Sequence, residues 1–188
     1  SDHGEMLGDH NLWRKTYGYE ASARVPFLVS MPPGLEGERN REIPQVVGWE
    51  DIMPTFLELA GAPVPDTVEG KSVLPLLRGE TEGWREYYHG EHSPCYHPEN
   101  ANQFLTDGRW KYIWLANGRR EQLFDVAADP HELRELCVSR PDVASRLRAA
   151  AVEALDRPAG EGTLEDGGLR GFDFEARPLR RIYQFDGS

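Results

Sequence analysis

An Asp-Gly pair set between two alternating apolar runs limits the fold of this chain more than any other feature. Gln103-Phe-Leu-Thr106 precedes Asp107-Gly108, and Arg109-Trp-Lys-Tyr-Ile-Trp114 follows. Asp-Gly suits a type I′ turn, in which both central residues take φ > 0, so the segment predicts a β-hairpin. On the second strand, Trp110, Tyr112 and Trp114 share one face, and Lys111 and Ile113 take the other. Asn117-Gly118 marks another turn, Glu121–Val126 a third strand and the stretch around Glu86–His89 a further one. The expectation is an antiparallel sheet of about four strands. The aromatic stripe is either a ligand platform or a packing face, and packing against a helix is the simpler reading. A helix is available after Ser139. Ser139 and Asp142 are candidate caps, Pro141 falls in the first turn, and Val143, Leu147, Ala151 and Leu155 keep the helical period.

Upstream of the hairpin the texture is different. Val25-Pro-Phe-Leu-Val-Ser-Met31 is a continuous apolar run bounded by Pro32-Pro33-Gly34, which predicts a buried strand of a parallel or mixed sheet. Ile52, Phe56, Leu57 and Leu59-Ala60 have helical spacing, with Pro54 in the first turn and Gly61 and Pro63 as the stop. Glu50 and Asp51 are either a paired-carboxylate site or acids at a helix start, where they complement the dipole. Strands and helices together define an α/β chain. It divides into residues 1–79, an α/β portion; 80–157, the small sheet with its covering helix; and 158–188, a linker and an extended tail.

With 188 residues the chain is long enough for a core of its own. A net charge of −11 argues against nucleic acid or an anionic membrane as partner, and no apolar run is long enough to span a bilayer. An anionic substrate would be repelled by that field unless a local cation and lysine held it. Cys95 and Cys137 make no disulfide framework and leave the compartment open. No Met precedes Ser1, and a motif suited to the end of a core strand sits at the terminus. The chain therefore reads as a fragment whose partner is the N-terminal remainder of the same protein. Separated from it, an unpaired edge and apolar surface favour self-association.

The densest chemistry lies in the first two dozen residues. Asp2 and His3 are adjacent and closed by Gly4, as suits the carboxyl end of a strand in an open α/β sheet. A carboxylate and an imidazole can share one divalent cation. Lys15 can set a compact positive charge on an anion held there. The competing reading is a solvated loop with scattered charge. Ser1-Asp2-His3-Gly4-Glu5, Leu7-Gly8-Asp9-His10, Leu12-Trp13-x-Lys15, Tyr19-Glu20 and Arg24-Val25-Pro26 together resemble a signature block of the sulfatases, members of the alkaline-phosphatase superfamily. Val68–Leu77 resembles the turn and helix that follow in that family, and Leu123-Phe-Asp125 through Asp129-Pro130-x-Glu132 resembles a segment near its end.

The resemblance implies the C-terminal portion of a sulfatase fold. It implies that Asp2 and His3 bind a divalent metal, most often Ca2+, and that Lys15 is catalytic and contacts the sulfate ester of a small molecule or glycan. His10 becomes a supporting or leaving-group candidate by its position in the block. The nucleophile of the family is a formylglycine made within C-x-P-x-R, and neither Cys95-Tyr-His-Pro nor Cys137-Val-Ser-Arg fits that pattern. The nucleophile is thus expected in the N-terminal remainder, and the isolated chain is expected to be inactive. Two other readings stand beside this one. A phosphonate or phosphate ester hydrolase of the same superfamily would use the same groups. A structural or assembly module would make the stretch from His89 through His92 and Cys95 to His97 a zinc site; alternatively, His92 and His97 line a substrate cleft.

Overall fold

The computed structural model describes residues 1–31, 33–34, 37, 39–92, 97–157 and 160–176. Its centre is a four-stranded antiparallel sheet in the order β1-β2-β3-β4. The strands are β1 Tyr88–His92, β2 Asn102–Thr106, β3 Trp110–Leu115 and β4 Arg120–Asp125. Aromatic and β-branched residues suit the pleated surface of β3, which is buried along nearly its whole length.

The two faces of the sheet carry different layers. Leu105, Trp110, Tyr112, Trp114 and Leu123 pack against Val143, Ala144, Leu147 and Ala151 of α4, Pro141–Leu155. The aromatic stripe is therefore a packing face, as its alternation predicts. Ile113 and Phe124, on the opposite face, pack with Val126 against Met6 and Tyr19. The chemistry-rich N-terminal block is thus laid on the sheet as its second layer. It includes a short helix, α1, Glu20–Ala23.

Three local expectations differ from the structure. At the hairpin tip, Asp107 N donates to Trp110 O, so Gly108 and Arg109 occupy the turn rather than Asp107-Gly108. Gly108 supplies the positive φ of 90°, and Asp107 Oδ1 accepts from the amides of Arg109 and Trp110. That side-chain turn replaces the type I′ geometry. At the start of α4, Arg140 is the capping position with no side-chain cap bond; Ser139 Oγ donates back to Leu136 O, and Asp142 pairs with Arg140.

The third difference is the run Val25–Met31, which is not a strand. Leu28 is 92% exposed, and Phe27 and Val29 are also open. A buried strand needs neighbours on both edges and faces, and among the described residues none pairs with this segment. The helix expected nearby does form, as α2, Ile52–Leu59, yet Met53, Phe56 and Leu59 on it are exposed. It is followed by α3, Leu74–Arg78, which Gly79 ends with φ 86°. Within 158–188, which read as a linker and an extended tail, the described part includes a two-stranded hairpin, β5 Leu164–Glu165 with β6 Gly168–Leu169. The following chain docks on the sheet: Trp114 Nε1 donates to Arg170 O, and Asn117 bridges to Phe172. No described helix is long and apolar enough to cross a membrane.

The Glu50-Asp51 pair resolves as structure rather than a two-carboxylate site. Asp51 is fully buried and accepts hydrogen bonds from Gly48 N, Lys71 N and both terminal nitrogens of Arg85 at 2.6 Å. Glu50 takes the Tyr88 hydroxyl at 2.9 Å.

Under the N-terminal block lies a buried ion cluster. Lys111, only 1% exposed, rises from β3 to contact Glu20, and its Nζ lies 3.9 Å from Glu132 Oε1. Glu132 Oε2 accepts from Glu20 N at 2.7 Å. Burial pushes the Glu132 carboxyl up to about 7, against the pull of Lys111. A carboxyl raised in the folded state stabilises the fold fully below its unfolded value of 4.5, and that contribution is lost as pH rises through about 7. Thermal unfolding of wild type and Glu132→Gln across this window checks the assignment. Relative to the Gln variant, wild type is expected to lose melting temperature between pH 5 and 8, because Gln mimics the neutral acid throughout. A constant difference would refute the linkage.

Candidate active site

Three of the side chains singled out in the sequence meet at one surface position. Lys15 Nζ lies 2.6 Å from His3 Nε2, and Asp2 Oδ2 lies 3.4 Å from the same nitrogen. On the other side of the ring, Nδ1 stands 2.7 Å from Gly4 O. A carbonyl only accepts, so Nδ1 carries the hydrogen and Nε2 presents its lone pair to Lys15. Glu5 Oε1 flanks Nδ1 at 3.8 Å.

The backbone that carries these groups is tightly located. Gly4 N donates to Ser22 O at 2.9 Å, and a Cβ at Gly4 would fall 2.0 Å from Ala21 O. Only glycine allows that approach, which brings His3 against α1. Trp49 Nε1 donates to Asp2 O at 3.0 Å and holds the terminus from the far side. Asp2 itself has an 82% exposed side chain. Its own backbone N–H, and then the ammonium of Lys15, keep its carboxyl below the usual range.

The donor set fits half of a site for a hard divalent cation. The largely exposed Asp2 carboxylate lies beside the imidazole lone pair, which Lys15 now engages and would release to a cation. Among the described residues, no group of three or more His, Cys, Asp or Glu side chains converges, so these two ligands do not complete a shell.

The remaining candidates are placed differently. His10 stacks on Tyr19 with ring centroids 4.1 Å apart and meets Phe124 edge-on. Its φ is 52°, and its Nε2 is buried without a hydrogen-bond partner. It thus belongs to the packing between the block and the sheet. His92 ends β1 opposite Asn102, and cross-strand partners share a face. Asn102 Nδ2 donates to Thr16 O, so His92 sits near the loop that bears Lys15, with Nδ1 buried and unpartnered among the described residues. His97 is exposed, 3.9 Å from Glu99. His89 lies on the opposite face of β1 from His92 and engages Gln103 through Nε2 at 2.8 Å, with its basicity lowered by burial. A zinc ion shared by His89 and His92 is incompatible with their opposite faces. Cys95 lies outside the described residues. Burial, reinforced by Glu135, raises the Cys137 thiol to about 12 and leaves it unreactive.

Trp49, Ser22 and Asn102 escaped the sequence reading. Trp49 reaches 47 residues to Asp2 and Asn102 reaches 86 to Thr16, while Ser22 closes a loop of six, and no local pattern marks them.

Comparison with known proteins agrees with this architecture. Residues 8–154 match the family described as N-sulphoglucosamine sulphohydrolase, C-terminal, and the chain belongs to this sulfatase family. An arylsulfatase of Clostridium perfringens is 42% identical over 137 residues, covering 72% of this chain and 28% of that protein. The structure of a 2-O GAG sulfatase superposes with a TM-score of 0.71 at 25% identity, covering 81% of this chain and 34% of that one. A phosphonate monoester hydrolase from Silicibacter pomeroyi superposes with a TM-score of 0.64 at 25% identity, covering 90% and 37%. The chain spans less than a third of the length of the curated relatives it matches.

Proposed function

We propose that this chain forms the C-terminal part of a sulfuric ester hydrolase and contributes one wall of its active site. The observation that carries the reading is the convergence of Asp2, His3 and Lys15, with Lys15 Nζ 2.6 Å from His3 Nε2. Asp2 and His3 would hold a divalent cation, Ca2+ being the expected ion, together with ligands from outside this chain. That cation and a hydrated formylglycine, also outside the chain, would supply charge neutralisation and the nucleophile.

The chain's own residues then have defined tasks. Gly4 O fixes the tautomer of His3 by accepting from Nδ1, so Nε2 faces outward as a ligand. Once the cation takes the Nε2 lone pair, Lys15 no longer donates to His3, and its ammonium hydrogens can be placed on a sulfate oxygen. As the S–O bond to the leaving group breaks, its electron pair passes to the leaving oxygen, and the ammonium is set to stabilise the charge that grows there. The substrate class is a sulfate ester on an aryl or glycan group. His92, beside the Lys15 loop, and His97 are candidates to touch the group that bears the ester.

A phosphonate monoester is the competing substrate, since a tetrahedral oxyanion of that kind needs the same cation and lysine, and the S. pomeroyi likeness favours testing it. The full-length protein is to be assayed in parallel on 4-nitrophenyl sulfate and 4-nitrophenyl phenylphosphonate, with and without a chelator. Faster sulfate hydrolysis, lost with chelator and restored by added Ca2+, is expected. Preferential phosphonate cleavage would replace this reading with the other, and hydrolysis of neither would leave the chain a structural module.

A further inference from the structure

Thr16, the residue next to Lys15, has φ 114°. For a β-branched residue this is strained backbone, and strain persists only where the surroundings over-determine it. Both hydrogen-bonding groups of Thr16 are held by side chains, one from the helix that follows and one from β2. Its N–H donates to Ser22 Oγ at 3.2 Å, and its C=O accepts from Asn102 Nδ2 at 2.8 Å. Both holders are buried polar residues, Ser22 at 5% and Asn102 at 4% exposed. Ser22 also reaches the other half of the site, since its carbonyl accepts from Gly4 N, one residue beyond His3. One serine on α1 therefore sets the residue after the lysine with its hydroxyl and the residue after the histidine with its carbonyl.

We propose that Ser22 and Asn102 are positioning residues that clamp Thr16 in its strained conformation and thereby aim Lys15 at His3. The inference rests on the role given to Lys15 above. Lys15 is an exposed, flexible side chain with four rotatable carbons, and a loop free to relax at Thr16 would spread its ammonium over many positions. The clamp confines the Cα from which the side chain starts. The supports differ in origin. Ser22 is carried by α1, which the Lys111–Glu20–Glu132 cluster anchors to β3, and Asn102 opens β2 of the same sheet. The sheet thus serves as the common reference frame for the two halves of the site.

The test is a double-mutant cycle in the full-length protein with 4-nitrophenyl sulfate as probe. Ser22→Ala and Asn102→Ala are each expected to lower kcat about tenfold, the scale of one positioning hydrogen bond, with KM changed less than about twofold. In a Lys15→Ala background neither substitution should lower the residual rate further, because the group they aim is gone. Ser22→Ala exchanges one small helical residue for another, so it keeps the test meaningful where Asn102→Ala folds poorly. A second readout is independent of turnover. Competitive acylation with acetic anhydride, followed by mass spectrometry, should show the Lys15 amine changing its reactivity several-fold in both variants while Lys71 keeps its own. Unchanged kcat and unchanged Lys15 labelling would overturn the clamp, as would an equal loss of rate with and without Lys15. If the wild-type protein leaves the sulfate ester intact, the sulfatase reading fails, and the labelling arm alone decides the clamp.

Discussion

Lys15→Ala in the full-length protein should cut turnover of 4-nitrophenyl sulfate by about 100- to 1,000-fold, the usual loss when one preorganised donor is taken from a developing oxyanion. The same substitution should barely move stability. Lys15 is exposed, and it contacts the His3 ring rather than a buried carboxylate. Exposed substitutions of this kind usually stay within about 0.5 kcal/mol. The separation of the two effects identifies the role, because a residue that merely braced the N-terminal block would lower both together. Steady-state kinetics alongside thermal melting provide the comparison. A variant with wild-type kcat would remove Lys15 from the site altogether. Lys15→Arg is expected to recover only part of the rate, since a planar guanidinium does not replace a compact ammonium.

The second large effect is on folding. Arg85→Ala strands the carboxylate of Asp51, which is fully buried and receives both terminal guanidinium nitrogens at 2.6 Å. Breaking a buried pair by deleting one partner costs about 3–5 kcal/mol, because the survivor is left charged in an apolar setting. The remaining bonds from Gly48 N and Lys71 N do not neutralise that charge. The loss spreads, since Asp51 ties the start of α2 to the segment before α3 and, through Arg85, to the approach to β1. The Asp51→Asn/Arg85→Ala double variant should be less destabilised than Arg85→Ala alone, as no bare carboxylate remains. Shifts in the urea midpoint measure both. A single variant that loses under about 1 kcal/mol would mean that Asp51 is already satisfied without its arginine.

Much of this molecule is local in origin. The aromatic alternation of β3 requires a sheet with one apolar face, and the period of Val143, Leu147, Ala151 and Leu155 supplies a helix to cover it. Neighbouring residues generate those patterns, so the sequence carries them directly. The adjacency of Asp2 and His3 and the Tyr19-Glu20 and Arg24-Val25-Pro26 steps likewise make the family resemblance legible. Where a local signal misled, a longer-range partner was at issue. Val25–Met31 has the composition of a buried strand but finds no described strand to pair with, and α2 keeps its period while Met53 and Phe56 face outward.

What the residues determined unaided is a list of elements and the chemical types available at the amino end, because hydrophobic period, turn chemistry and metal-compatible side chains are properties of short stretches. Which of those side chains meet was decided only by tertiary structure. His10 and Lys15 are near in sequence, yet one is stacked on Tyr19 while the other reaches His3. The strained Thr16 peptide is held by hydroxyl and amide groups that lie 6 and 86 residues away. The longer of these contacts forms only once the sheet has placed β2 beside the N-terminal loop, since the hydrogen bond gains little until folding has already met the entropy of bringing its partners together.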